Sequence, residues 1–200
     1  MKKQALGFVV ASLALALAVD ASPSKAALTY NIYESLGNLV VETNGSLNLT
    51  PSSFIATCTV TGALVSSIAG ICTGASVQGR TYAISGPSSI PGTANLLPAS
   101  SVSGIATLIV GDENIFLIDS SYISGTPIIS NAIFNGTTLA DIGLTPSSGL
   151  LGTWTLTDSS ETININVVPG PLPLVGVGAA LGFSRRLRQR IQRSQAVANA

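Results

Sequence analysis

The central part of the chain predicts an all-β fold, an antiparallel β-sandwich, on three observations. Apolar residues alternate with Thr, Asn and Ser in short runs. Clusters of Gly, Pro, Asn, Asp and Ser separate those runs at short intervals. No window between residues 27 and 168 sustains a 3.6-residue period. A two-residue period turns alternate side chains to opposite faces, so each run buries one face and wets the other.

The runs follow in order. Leu28, Tyr30 and Ile32 alternate with Thr29, Asn31 and Tyr33; after a break at 34–38, Leu39, Val41, Leu47 and Leu49 share one parity. These predict two paired strands. The stretch 57–79 is ambiguous, because 63–71 suits either a short helix or a strand. Strands are expected at 81–85, 105–110, 115–119 and 128–134, with Gly111-Asp112-Glu113-Asn114 as a hairpin loop. Pro87, Pro91 and Pro98 mark 86–103 as a long irregular connection. The clearest hairpin closes the segment. Trp154 and Leu156 alternate with Thr153, Thr155 and Thr157, Asp158-Ser159-Ser160 turns the chain, and Ile163, Ile165 and Val167 return between Thr162, Asn164 and Asn166.

Composition narrows the chemistry. Charged residues make up 9% of the chain, against roughly 25% in a typical soluble domain. The sequence has no histidine, which excludes Ser-His-Asp and Cys-His catalysis and His-ligated zinc. No serine lies in a Gly-x-Ser-x-Gly elbow, and neither a phosphate loop nor a dinucleotide fingerprint occurs. No catalytic residue, metal site or cofactor is expected. The carboxylates that a glycosidase would need sit on turns: Asp112-Glu113 at one hairpin tip, Asp158 and Glu161 around another. Neighbours on a turn normally point apart, so both pairs are expected to be solvated.

Charge is distributed in three regimes that sum to zero. Lys2, Lys3 and Lys25 against Asp20 give the first 26 residues +2. Residues 27–168 hold eight carboxylates against Arg80 alone, a net of −7, which argues against a nucleic-acid surface. The five arginines of 169–200 give +5.

Residues 1–26 have the order of a secretory signal: Lys2 and Lys3, an apolar stretch over 5–19, then small-residue cleavage sites ending at Ala21 or Ala26. Signal peptidase is the implied partner. In an exported chain, Cys58 and Cys72, separated by 13 residues, suit one local disulfide, and a pair of buried thiols is the other reading. Three Asn-x-Ser/Thr triplets, starting at Asn44, Asn48 and Asn135, are what this composition produces by coincidence.

The C-terminus reads as a three-part address. Pro169, Gly170, Pro171, Leu172 and Pro173 hold the junction extended, a 12-residue apolar helix follows over 172–183, and Arg185, Arg186, Arg188, Arg190 and Arg193 form a cytoplasmic stop cluster. The helix spans ~18 Å against ~30 Å of hydrocarbon, too short for a good permanent anchor and suited to a transient one. The domain plan is therefore signal peptide 1–26, ectodomain 27–168, sorting signal 169–193 and tail 194–200, with an apolar helix flanking the sandwich at each end.

This tail resembles that of proteins bearing the PEP-CTERM sorting signal, processed by exosortase-type membrane proteases. Gly170 stands where the usual motif has Glu, and the Pro-Leu-Pro-Leu and Ser-Arg-Arg-Leu-Arg context resembles cyanobacterial members. The ectodomain is similar to small members of the group at Tyr30-Asn31-Ile32-Tyr33-Glu34-Ser35, at Tyr122-Ile123-Ser124-Gly125-Thr126-Pro127, at Asn135-Gly136 with Gly143-Leu144-Thr145-Pro146, and at the Trp154 to Ile165 hairpin. The resemblance implies an exported surface or matrix protein without known enzymatic activity, associated with membrane, exosortase and exopolysaccharide. It supplies no catalytic residues. A carbohydrate-binding adhesin module on a plain C-terminal anchor is the alternative, and a carboxylate-based glycosidase comes third.

Overall fold

The computed structural model describes residues 27–50, 52, 55–57, 62–75 and 78–171. Strands account for about half of these and the only helices among them are two single 3-10 turns. The strands are β1 (Ala27–Ser35), β2 (Asn38–Gly45), β3 (Ile55–Thr57), β4 (Ala63–Val65), β5 (Gly70–Thr73), β6 (Gln78–Ser85), β7 (Leu97–Pro98), β8 (Ser101–Gly104), β9 (Thr107–Val110), β10 (Ile115–Asp119), β11 (Ile128–Phe134), β12 (Leu150–Leu156) and β13 (Thr162–Val167). They form one curled, open sheet in the order β7-β4-β5-β9-β10-β6-β12-β13-β1-β2-β11-β8, with β3 paired to the first part of β6.

Strand β6 is the bend. Its residues 79–83 pair with β10, while Ile84 and Ser85 pair with Leu156 and Thr155 of β12. One arm of the sheet lies on either side, and the apolar parity of each strand faces the other arm. Leu28, Tyr30 and Ile32 of β1, Leu39 and Val41 of β2, and Ile163, Ile165 and Val167 of β13 are buried in one cluster with Ile71, Ile109 and Phe116 of the opposite arm. Their partners of the other parity, such as Thr29, Asn31, Asn164 and Asn166, are half-buried on the outer face. That is the division the alternating pattern dictates.

Two expectations change in the structure. The sheet is not wholly antiparallel: β1 and β13 pair in parallel, from Ala27 opposite Thr162 to Ile32 opposite Val167. A parallel pair needs a long crossover, and here nearly the whole domain supplies it, so local turn signals carry no trace of it. The ambiguous stretch 63–71 is a tight hairpin, β4 and β5 joined by a 3-10 turn at Ser66–Ile68 that ends with Ala69 at φ 48°. The connection 86–103 is irregular as expected, with β7 and β8 as short outermost strands at opposite ends of the sheet order.

The parallel pair also fixes where the domain is entered and left. Ala27 begins at one end of the sheet, and Val168 leaves at the other, after its amide donates to the Ile32 carbonyl at 3.0 Å. The two ends are separated by roughly 17 Å of strand.

The signal peptide with Ala21 and Ala26, Cys58, Leu172, Pro173 and the five C-terminal arginines lie outside the described residues. Among the described residues no helix is long and apolar enough to cross a membrane. Cys72 is buried on β5.

Candidate functional site

At the entrance end of the sheet the two arms part around a cleft of about 210 Å³, lined by Leu49, Arg80, Tyr82, Ile118, Asp119, Ser120, Tyr122 and Ser124. Four pieces of chain converge there. Arg80 and Tyr82 share the inward parity of β6, and Ile118, opposite Arg80 in the ladder, ends β10 with Asp119. The loop 120–127 and the extended segment 46–50 close the remaining sides.

The segment after β2 carries no ladder of its own, so its polar groups must be satisfied elsewhere. Tyr122 supplies the first clamp. Its hydroxyl accepts from the Leu47 amide at 3.1 Å, and its single proton is shared between the carbonyls of Thr126, at 2.9 Å, and Leu47, at 3.0 Å. Ser124 Oγ accepts from the Leu49 amide at 2.7 Å, and the Gly125 amide donates to the Leu47 carbonyl at 2.9 Å. The third clamp is Glu161, whose two carboxylate oxygens accept from the amide and from Nδ2 of Asn48, each at 2.6 Å.

Glu161 therefore corrects the sequence expectation of a solvated turn. It is 6% exposed, because the turn before β13 folds it under the 46–50 segment. Glu161→Gln leaves one acceptor and turns an amide NH₂ toward a donor. A loss of about 1–3 kcal/mol is expected, since a buried donor then goes unmet; equilibrium urea unfolding measures it. The same contact commits the side chain of Asn48, which is exposed like Asn44 and Asn135.

Within the cleft the polar groups are partly spoken for. Arg80 donates from Nη1 to the Ser52 carbonyl, one of five guanidinium N–H donors. Asp119 Oδ1 accepts from the amide and the hydroxyl of Ser121, both at 2.8 Å, which holds the carboxylate in an Asx turn. Tyr82 is buried, and burial raises its phenol above the ordinary tyrosine value while the Arg80 charge and a backbone hydrogen bond at Ser52 pull the other way. The phenol is protonated at neutral pH and remains a polar, uncharged wall.

The residues singled out for other chemistry are scattered. Asp112 and Glu113 are exposed on the β9–β10 loop, and Asp158 is exposed on the β12–β13 turn. Among the described residues no group of three His, Cys, Asp or Glu is placed to hold a metal ion. Of the sorting motif, Pro169 and Pro171 are exposed and Gly170 between them is half-buried against the Glu34 carbonyl. They stand at the exit end, opposite the cleft.

Sequence reasoning noted Arg80 as the lone cation of the acidic segment and Tyr122–Pro127 as a stretch that carries the family resemblance, without bringing them together. The available signal was the oddity of one arginine at an inward parity of a strand beside Tyr82. Comparisons with family models, with curated proteins and with solved structures found no match.

Proposed function

We propose that this chain is an exported structural protein of the cell surface or extracellular matrix, directed there by its C-terminal sorting signal and processed by an exosortase-type membrane protease. The observation that carries the reading is the ordered tail, Pro-Gly-Pro, a short apolar stretch and five arginines, behind a domain that begins after a secretory signal pattern. The position of the junction supports it. Pro169 and Pro171 are exposed at the end of the sheet remote from Ala27, where a membrane protease meets no steric obstacle from the cleft loops. We read the curled sheet as a β-sandwich, its two arms closed over a shared core.

The decisive experiment is the intact mass of the mature protein from its native host, with both termini sequenced. A chain starting near Ser22 or Ala27 and ending near Pro169–Pro171 supports export and sorting. A chain that keeps Arg185–Arg193 overturns sorting and leaves the plain-anchor alternative.

The glycine of the junction makes a further prediction. A Cβ on Gly170 would lie 2.0 Å from the Glu34 carbonyl oxygen, closer than any packed contact permits. Gly170→Glu restores the usual Pro-Glu-Pro order, but it must lift the junction off β1 and sets a second carboxylate beside Glu34. Faster appearance of the trimmed chain in a pulse-chase experiment is expected, with the melting temperature of the domain unchanged. Slower trimming would show that the docked junction is the form the protease prefers.

A further inference from the structure

We propose that the exit end of the domain is a membrane seat, with the Leu36 side chain set into the outer interface of the bilayer that holds the apolar stretch 172–183. It rests on the reading of that stretch as a membrane segment, and it fails separately, because a chain can be anchored there with its domain standing clear of the lipid. The tip of the first hairpin is the starting point. Ser35 pairs with Asn38, so Leu36 and Gly37 alone make the turn, and both have positive φ, 53° and 77°. Such a turn prefers Asn or Asp before its glycine, since leucine has no short polar side chain to ease the left-handed conformation. Leu36 is also 89% exposed. Single exposed leucines are ordinary, but this one combines backbone strain with exposure and gives the core nothing.

Its position supplies the occupant. Beyond β13 the chain keeps to the parallel ladder. The Val168 amide donates to the Ile32 carbonyl at 3.0 Å, and a Cβ on Gly170 would lie 2.0 Å from the Glu34 carbonyl oxygen. That register carries Pro171 to the level of the hairpin tip, and the apolar stretch begins at the next residue. No slack separates the domain from the stretch. Its 12 residues reach ~18 Å as a helix against ~30 Å of hydrocarbon, so a bilayer that holds it draws its outer flank toward the lipid. What is drawn in is the Leu36 tip. The short tether makes this contact intramolecular, so one side chain orients the domain although it could not hold a free one. Charge near the tip points the same way. Glu34 accepts from the Leu139 amide and Asp141 from the amide and hydroxyl of Thr138, while Arg80, the one cation among the described residues, lies at the far end. Nothing there recognises an anionic headgroup; the seat is apolar, and zwitterionic lipid suffices.

The test uses the exported form, Ala27–Ala200, which contains every described residue and cannot be held by residues 1–26. It is reconstituted into phosphatidylcholine vesicles brominated high on the acyl chains, which quench tryptophan at that depth. The native chain sets the baseline, because Trp154 is fully buried. Leu36→Trp is expected to shift its emission to the blue and to be quenched beyond that baseline. Ile123→Trp, at a site 71% exposed on the entrance-end loop, is expected to do neither. Should Leu36→Trp fail to fold, a carbene-bearing lipid labels the native chain instead, and label at 35–37 without label at 122–126 is the same result. Leu36→Asn suits the turn, so it is expected to melt no lower than the native chain and to lose that label. A chain that does not float with the vesicles overturns the membrane reading and the seat with it. Flotation with Leu36→Trp unquenched overturns the seat alone, and a blue shift without quenching assigns the tip to a protein surface instead. Equal quenching of both tryptophan variants, or a clear loss of stability in Leu36→Asn, also overturns it.

Discussion

Trp154→Ala is expected to destabilise the domain by about 3–5 kcal/mol, toward the upper end of what large-to-small core changes cost. Trp154 lies on β12 opposite Ile163 and is fully buried, and its Nε1 donates to the Pro87 carbonyl at 2.9 Å. Its surroundings explain the severity. A Cβ added at Gly86 would lie 2.4 Å from the indole, one at Gly152 2.6 Å and one at Gly111 3.2 Å. The ring thus occupies space that three glycines leave open. Those same residues have no side chains with which to refill it, so the cavity cannot relax and the Pro87 carbonyl loses its donor.

Domains of this size are stable by only about 5–15 kcal/mol, so a loss of that size takes a substantial share of the margin. Far-UV circular dichroism in urea is the right measurement, since the substitution removes the sole tryptophan of the chain and with it the fluorescence signal. Trp154→Phe keeps most of the volume and loses the N–H; a loss smaller than that of Trp154→Ala is expected. Equal losses for the two would mean that the hydrogen bond to Pro87, rather than the volume, dominates.

How far the sequence disclosed this arrangement depended on whether a feature was local. The β10 and β11 boundaries coincide with the expected 115–119 and 128–134 runs, because each is an apolar run bounded by turn residues. The last hairpin has the expected apolar face, with Trp154 opposite Ile163 and both buried. Features that depend on distant strands were not legible. The parallel β1–β13 pair joins residues more than 130 positions apart, and period-two patterning is the same for parallel and antiparallel neighbours. Arg80 comes beside Ile118 only because β6 pairs with β10. Glu161 looked like a turn residue because burial of a carboxylate depends on Asn48, which lies 113 positions away. Leu47 and Leu49 show the same limit in reverse: their parity is that of a strand and both are buried, yet the Tyr122 and Ser124 side chains and the Gly125 amide, not a ladder, hold their backbone.

Thr73→Val, nearly isosteric, is expected to cost about 3 kcal/mol, far more than a lost hydroxyl on a wet sheet face. The reason is a knot of hydroxyls between the arms. Thr73 Oγ1 on β5 lies 2.9 Å from Thr43 Oγ1 on β2, 2.9 Å from Thr107 Oγ1 on β9 and 2.8 Å from Ser130 Oγ on β11. Tyr30 on β1 extends the chain by donating to Thr107 at 2.8 Å. All five are buried. One hydroxyl offers one proton and two lone pairs, so three partners saturate Thr73.

Removing it strips Thr43 and Ser130 of their hydroxyl partner inside a core where no water replaces it, at about 1–3 kcal/mol for each unmet group. Adding Thr43→Val and Ser130→Ala to Thr73→Val should recover much of the loss, because of the three partners only Thr107 then remains, and it keeps its bond from Tyr30. Urea unfolding of the single and triple variants reads the comparison. A triple variant less stable than the single would mean that each hydroxyl is held by contacts outside the knot, and that the knot does not join the arms. Recovery would assign the knot a different role from stability. Apolar residues can close two sheets in many registers, but a saturated set of hydroxyls on five strands is satisfied in one. The triple variant is then expected to melt near the native temperature but with a broader transition, the sign of a core that still packs and no longer packs uniquely.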